Sequence, residues 1–155
     1  MAWTLAQLRT AYASLSPVPA TLTEAAATLN AQTQTVTVNV PVQSIAGYLG
    51  SQNKLVGFLE WAASPPTGAS ATAVNAAKAL ADAIQDSGAL PIFQMTNSAI
   101  AANMENDLAA LVSPGTGVTG PITATDQAAI LALASQTVPV WDPPVQPADL
   151  QTAGV

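Results

Sequence analysis

The sequence predicts a mainly α fold: a compact bundle of about six or seven short, alanine-rich helices, with one isolated β-strand and an extended, proline-rich C-terminal arm. Alanine supplies 33 of the 155 residues, and it has the highest helix propensity of all residues. Apolar residues recur at spacings of three and four within short segments that prolines and glycines separate, which is typical of amphipathic helices. One stretch alternates apolar and polar residues instead, and that period indicates a strand.

Capping signals and apolar stripes place the helices along the chain. Thr21 with Glu24, and Thr123 with Asp126, have the spacing of capping boxes, so each pair opens a helix. The other helices follow from apolar stripes and cover about residues 4–15, 45–49, 55–62, 70–86 and 97–111. The second and third of these are two helices joined by a tight turn, or one kinked helix. Ser87-Gly88 is expected to end the helix over 70–86, as glycine commonly ends helices.

The alternating stretch is Gln34–Val42, with the strand itself over about residues 34–40. Val36, Val38 and Val40 are apolar, and the odd positions between them are threonine or asparagine. This period of two places the valines on one side of a strand and the polar residues on the other. We expect the valines to face the helices.

The partner of this strand is the main question that the sequence raises, because a lone strand leaves its backbone N–H and C=O groups unpaired. Within the chain only Leu90–Gln94 and Thr137–Trp141 have the composition to pair with it. Each contains a proline, which cannot donate to a ladder. The sequence therefore favours an edge that pairs with another chain.

The domain organisation follows from the distribution of prolines. Residues 1–135 are expected to form a single helical domain with the strand embedded in it. Residues 136–155 contain Pro139, Pro143, Pro144 and Pro147 with one large aromatic, Trp141. That proline density predicts an extended C-terminal arm.

Charge and composition exclude several classes of partner. The net charge is −6, and three basic residues cannot neutralise a phosphate backbone, so we expect no direct nucleic-acid binding. No window approaches about 18 uninterrupted apolar residues, and the N-terminus lacks the pattern of a signal peptide. We therefore expect a soluble protein with no membrane partner. Only 8% of the residues are charged, and such a nearly neutral surface suits contact with other proteins.

The residue types predict that the protein is not an enzyme and has no cofactor, metal site or small-molecule substrate. The chain lacks histidine and cysteine, which supply the commonest general base, metal ligands and nucleophile pairs. Asp82 and Asp86 share a predicted helix face; a solvated surface is favoured there over the alternative, a weak divalent-ion site. The Gly115–Gly120 run imitates a dinucleotide fingerprint, but a helix precedes it and Pro121 follows it.

The tryptophans are candidate partner contacts. Trp61 is expected in the core or at the boundary of its helix. Trp3 and Trp141 lie in segments with little packing of their own, and large aromatics in such places often insert into a pocket of a partner. The alternative, that each folds back on its own domain, stays open. With Pro143 and Pro144 of the arm and the three strand valines, these two tryptophans form the predicted partner-binding set.

Five segments occur in a characteristic order. They are Trp-Thr-Leu-Ala-Gln-Leu at 3–8, Leu-Asn-Ala at 29–31, Thr-Val-Thr-Val at 35–38, Pro-Val-Gln-Ser-Ile-Ala-Gly-Tyr-Leu at 41–49 and Pro-Ile-Thr-Ala-Thr-Asp-Gln-Ala-Ala-Ile-Leu-Ala-Leu at 121–133. This order resembles small structural proteins of tailed double-stranded DNA phages. The resemblance covers most of residues 1–135, and the proline-rich arm departs from it. It implies a virion or virion-assembly protein and leaves head, neck and tail open.

Residues and resemblance together favour a non-enzymatic structural component of a tailed phage particle. We expect it to bind other phage structural proteins and copies of itself, by strand addition and arm exchange. Its expected location is the virion, and the host cytoplasm during assembly. The alternative is an assembly chaperone or another transient interaction protein that the virion does not retain. A small enzyme that uses carboxylates and a metal is the least favoured reading.

Overall fold

A computed structural model describes residues 3–86 and 92–155 of the chain. In chain order its elements are α1 Leu5–Ala13, α2 Leu22–Asn30, β1 Thr33–Thr37, β2 Val40–Pro41, α3 Val42–Ser51, α4 Leu55–Ala63, α5 Ala71–Gln85, β3 Ile92–Phe93, α6 Ser98–Val112, α7 Ala124–Ala132, β4 Ser135–Pro139 and α8 Pro147–Ala153. The protein is mainly helical, as the sequence predicts. The described residues form eight helices rather than six or seven.

The chain divides into two compact units, each with a buried core of its own. The first unit comprises Met1–Val36 and Thr137–Val155, and the second comprises Thr37–Gln136. The boundary falls inside β1 and inside β4, so the chain changes unit once in each strand. This division differs from the predicted one, a single domain over residues 1–135 with an arm over 136–155.

Local capping signals account for the starts of most helices. Capping boxes form between Thr4 and Gln7 at α1, between Thr21 and Glu24 at α2, and between Thr123 and Asp126 at α7. The two boxes that the sequence predicts are thereby confirmed. Side chains of Ser70 and Asn97 accept backbone N–H groups at the starts of α5 and α6. The predicted helix end at Ser87-Gly88 lies outside the described residues.

The C-terminal segment packs into the first unit. Its helix α8 begins at Pro147, in the first turn, where the missing N–H of proline breaks no hydrogen bond. The Asp149 carboxylate accepts the N–H of Gln146 at 2.8 Å and so caps the helix start. Leu150 and Ala153 are fully buried in a core shared with α1 and α2. The prediction of an extended C-terminal arm is therefore wrong. It was based on the number of prolines, but Pro147 occupies a helix start, where proline is favourable.

The prediction of one isolated strand over residues 34–40 is also wrong. The stretch forms β1 and β2, separated at Val38 and Asn39. β1 pairs with β4, and β2 pairs antiparallel with β3, with Val40 opposite Phe93. Both segments that the sequence offers as partners within the chain are thus used. A proline at the end of a ladder limits its length without preventing the pairing.

The second unit places its apolar side chains between α3, α4, α5, α6 and α7, with Phe58 and Leu108 among the fully buried ones. The glycine-rich loop after α6 is packed into this unit. The Ser70 N–H donates to the Pro114 carbonyl oxygen at 2.6 Å. A Cβ atom on Gly120 would overlap the carbonyl oxygen of Leu111. Glycine is therefore required at residue 120 by backbone packing.

Candidate partner-binding site

β1 and β4 form a two-stranded ribbon, and two backbone hydrogen bonds frame it. The Val140 N–H donates to the Gln32 carbonyl oxygen at 3.0 Å, and the Val38 N–H donates to the Ala134 carbonyl oxygen at 2.7 Å. The start of β1 thus lies beside the end of β4, so the strands are antiparallel. Along each strand of an antiparallel pair, the backbone N–H and C=O groups of successive residues point alternately toward the partner strand and away from it. The even-numbered residues therefore bond across the ribbon, and the odd-numbered ones direct their N–H and C=O groups outward.

One face of the ribbon carries hydroxyl side chains. Residues directly opposite each other in a pair of strands project to the same side, so the odd-numbered residues share a face. They are Thr33, Thr35, Thr37, Ser135, Thr137 and Pro139, and all six are exposed. We call this surface the hydroxyl face. It offers five β-compatible side chains with hydrogen-bonding capacity and no charge.

The two outer edges of the ribbon differ. On β4, Pro139 stands at an outward position and has no N–H to offer a further strand. β1 reads Thr-Gln-Thr-Val-Thr and contains neither proline nor a charged residue. Edge strands of natural proteins usually carry a charge, a proline or a bulge that blocks further pairing. β1 therefore presents the unprotected edge.

The predicted contact residues Val36, Val38 and Val40 have different environments. Val36 and Val38 are half-buried, whereas Val40 lies in β2 and is 3% exposed in the core of the second unit. A side chain buried in its own unit cannot contact a partner, so the assignment of Val40 to the partner-binding set is wrong. The exposed positions of this stretch are Gln34, Thr35, Thr37, Asn39 and Pro41.

Trp3 and Trp141 contact each other within the first unit. Their ring centroids are 6.0 Å apart, and their planes meet at 71°, an edge-to-face arrangement. Trp3 Nε1–H donates to the Pro143 carbonyl oxygen at 2.7 Å, and Trp141 Nε1–H donates to Gln32 Oε1 at 3.1 Å. Trp141 is only 5% exposed, so it folds back on its own unit and the predicted insertion into a partner is wrong. Trp3 is half-buried.

A groove of about 690 Å³ opens beside the two indole rings, and we call it the tryptophan groove. α1, both strands of the ribbon and the turn after β4 line it with Trp3, Gln7, Gln34, Val138, Val140 and Asp142. These side chains combine apolar surface with two amides and one carboxylate. Pockets that bind peptides and small molecules combine apolar walls with a few polar groups in this way.

Pro143 and Pro144 are exposed on a loop that the first unit holds in place. The peptide bond before Pro143 is cis. Asn30, the last residue of α2, forms two hydrogen bonds with the backbone of Val145. Its Nδ2 donates to the Val145 carbonyl oxygen at 2.9 Å, and its Oδ1 accepts the Val145 N–H at 2.8 Å. The prolines are therefore presented by an anchored loop rather than by a free arm.

Asp126 is a buried carboxylate of the second unit, 1% exposed. It accepts hydrogen bonds from Lys54 Nζ at 2.6 Å, from the Tyr48 hydroxyl at 2.9 Å, and from both the N–H and the hydroxyl of Thr123 at 2.7 Å. Burial by itself would raise the pKa of Asp126, but the bonds from Lys54, Thr123 and Tyr48 outweigh it and hold that pKa well below its usual range. The carboxylate is thus fully engaged in fixing the start of α7.

The other acidic residues that the structure describes do not come together in a group of three or more. Among residues 3–86 and 92–155, no group of three or more carboxylates is placed to hold a metal ion. Burial raises the pKa of Asp107, which lines a small apolar cavity of about 130 Å³ in the second unit. In the same described part of the chain, no helix combines the length and the apolar character needed to cross a membrane.

Sequence reasoning missed three groups of residues at this site. The groove residues Gln7 and Gln34 were missed because neither belongs to a motif. The role of Asn30 was missed because its partner, Val145, lies 115 residues away. The exposed threonines of β1 carried a usable signal, since they alternate with valine in a stretch without charge.

Comparison with known proteins found no matching family model, curated protein or solved structure.

Proposed function

We propose that this chain is a non-enzymatic structural component of a tailed phage particle, acting in the head, neck or tail through protein–protein contacts. The observation that carries the proposal is the ribbon formed by β1 and β4. It has no charged residue, an exposed hydroxyl face and an unprotected edge along β1. An edge of this kind binds an added strand through backbone hydrogen bonds.

The marginal stability of small sheets supports this proposal. A sheet of two strands is at best weakly stable alone in water, and a third strand or a packed layer normally supports it. Here no layer formed by residues 3–86 or 92–155 covers the hydroxyl face, since all six of its residues are exposed. A strand from another chain, added to the ribbon at the β1 edge, would supply that support.

The tryptophan groove supports the proposal as a second contact region of the first unit. Val140 is 37% exposed beside it, and Pro143 and Pro144 are exposed on the anchored loop. Protein–protein interfaces combine an apolar centre, enriched in aromatic residues, with a polar rim. Other phage structural proteins and copies of the chain itself are the proposed partners.

The setting in a phage rests on the resemblance of the five segments between residues 3 and 133. The location that we propose on this basis is the virion, and the host cytoplasm while particles are assembled. An assembly chaperone would use the same surfaces only transiently.

Quantitative mass spectrometry of purified virions tests the proposal. The sample is the phage whose genome encodes this chain, purified on two successive density gradients, with a nonstructural protein of the same phage as the control. We expect the chain to remain at a constant ratio to the major capsid protein through both gradients. A chain that is abundant in infected cells but lost from virions together with the control would overturn the proposal and favour the chaperone.

A further inference from the structure

We infer that the β1 edge pairs with the β1 edge of a second copy of this chain, antiparallel about a two-fold axis at Thr35. The product is a four-stranded sheet with the order β4, β1, β1, β4. This inference deepens the proposed function by naming a partner, and it rests on that function for its biological setting. The pairing itself is measurable with the purified protein.

The hydrogen-bonding groups of β1 fit such a pairing. Thr33, Thr35 and Thr37 are the outward positions of the strand, as the framing bonds of Val38 and Val140 require. None of the three takes part in a hydrogen bond with another described residue outside the ladder. A two-fold axis at Thr35 sets this residue against its own copy. It also sets Thr33 against the Thr37 of the second copy.

The absence of charge in the ribbon favours a second copy over a charged partner. Each chain carries a net charge of −6, so two copies repel each other over most approaches. β1 and β4 contain no ionisable side chain, and the facing residues would be threonines. Threonine pairs across neighbouring strands are favourable, whereas like charges in the same place are unfavourable.

The other edge of the ribbon explains why the pairing stops at two copies. After β1 has paired with β1, the outer strands of the sheet are the two copies of β4. Pro139 at the outward position of β4 has no N–H for a fifth strand. In a two-fold contact the same edge of both copies is occupied, so the assembly closes as a dimer and does not propagate into a fibre.

The expected dimer is weak in solution. A five-residue edge covers only a part of the roughly 1,200–2,000 Å² that stable interfaces bury. Neighbouring contacts in an assembly raise the effective concentration of the two edges, and the pairing then becomes stable. A covalent trap is therefore the suitable test for the purified protein.

The chain contains no cysteine, so a single introduced cysteine reports on one position. In the proposed register the two copies of residue 35 have Cα atoms about 5.5 Å apart, which a disulfide spans. Thr33→Cys is the matched control on the same strand and face. Its two copies would lie more than about 14 Å apart, since they are four residues apart along the sheet and a strand rises about 3.4 Å per residue. Thr137→Cys is the control on β4.

The three full-length variants are oxidised under the same mild conditions, and disulfide-linked dimers are measured on non-reducing gels. We expect Thr35→Cys to form dimers several-fold faster than Thr33→Cys and Thr137→Cys. Mixing Thr33→Cys with Thr37→Cys should give the mixed dimer in preference to either homodimer. Equal rates for the three variants, a faster Thr137→Cys, or no dimer from a Thr35→Cys protein with unchanged helical circular dichroism would overturn the inference.

The disulfide-trapping result and the virion result can be distinguished from each other. Dimers trapped at residue 35 in a protein that purified virions lack would reject the structural function and keep the homotypic pairing. A protein retained in virions without trapping at residue 35 would reject the pairing and keep the structural function.

Discussion

The side-chain amide of Asn30 binds both backbone groups of Val145, with hydrogen bonds of 2.9 Å and 2.8 Å. The amide thus satisfies the backbone N–H and C=O groups of Val145 in the way that a neighbouring β-strand would. Val145 is 1% exposed, so its N–H and C=O groups have no access to bulk water as a substitute. This contact joins the end of α2 to the segment that carries Trp141 and the exposed prolines.

Asn30→Ala should destabilise the first unit by roughly 2–3 kcal/mol, because it leaves a donor and an acceptor of Val145 buried and unpaired. Denaturant unfolding followed by tryptophan fluorescence measures the change, since Trp3 and Trp141 report on this unit. Asn75→Ala, at an exposed position of α5, is the matched control and should change stability by less than about 0.5 kcal/mol. Equal stabilities for the two variants would show that the contact contributes nothing.

Leu150→Ala tests the packing of α8 into the first unit. Leu150 is fully buried, so removing its side chain should cost about 2–5 kcal/mol. Leu5→Ala is the control in α1, where the side chain is 44% exposed, and it should cost less than about 1 kcal/mol. Chemical denaturation of both variants gives the comparison. A Leu150→Ala protein as stable as the wild type would mean that the C-terminal segment is an arm after all.

Asp126→Asn tests the buried network of the second unit and its dependence on pH. The folded-state pKa of Asp126 is lowered, so its contribution to stability is present above the ordinary carboxyl pKa of about 4. It is lost as the pH falls from there toward the folded-state pKa. At pH 7 the variant should be less stable by roughly 2–3 kcal/mol, because the Lys54 and Tyr48 donors lose their charged acceptor.

Thermal unfolding from pH 7 to pH 2 measures this dependence. The difference in Tm between the wild type and Asp126→Asn should be constant down to about pH 4 and then shrink. Asp82→Asn, at an exposed position of α5, is the control and should leave Tm nearly unchanged. A difference as large at pH 2 as at pH 7 would contradict the assignment of the effect to the ionised carboxylate.

Gly120→Ala tests the packing of the glycine-rich loop. The added Cβ would overlap the carbonyl oxygens of Leu111 and Val112, and the resulting backbone shift should cost about 1–3 kcal/mol. Gly57→Ala is the control, since a Cβ in α4 meets no atom within 4 Å. Removing a helical glycine should stabilise the protein by about 0.5–1 kcal/mol. Differential scanning calorimetry separates the two, and shifts of the same sign would contradict the packing account.

Local features of the fold could be predicted from the sequence because their causes lie within one turn of chain. The boxes of Thr21 with Glu24 and Thr123 with Asp126 involve residues three apart. The alternating period of Gln34–Val42 likewise identified strand structure, although it could not show the break at Asn39. At that break the N–H and the hydroxyl of Thr96, 57 residues away, both donate to the Asn39 side chain.

Contacts between distant residues could be predicted only as candidates: the sequence offers Leu90–Gln94 and Thr137–Trp141 as partners of the strand but favours a partner in another chain. The pairing of β1 with β4 joins segments about 100 residues apart, and no periodicity within either strand encodes its partner. The prolines at residues 139 and 147 led to the prediction of an extended arm without helix or strand. However, Pro139 lies at an outward position of β4, and Pro147 starts α8. Trp141 is buried because the C-terminal segment packs into the first unit. The sequence does not show that packing, so it left the role of Trp141 open.

The incorporation of edge variants into virions tests the central claim most directly. Thr35→Lys places a charge on the unprotected edge of β1, whereas Thr137→Lys places the same charge on the edge of β4. The measurement is the amount of each variant per major capsid protein in purified virions, in host cells that supply the variant as the only copy. We expect Thr35→Lys to be depleted several-fold and Thr137→Lys to be retained at the wild-type level. Full retention of Thr35→Lys, in a protein that folds as the wild type does, would contradict the claim that the β1 edge joins this chain to its assembly.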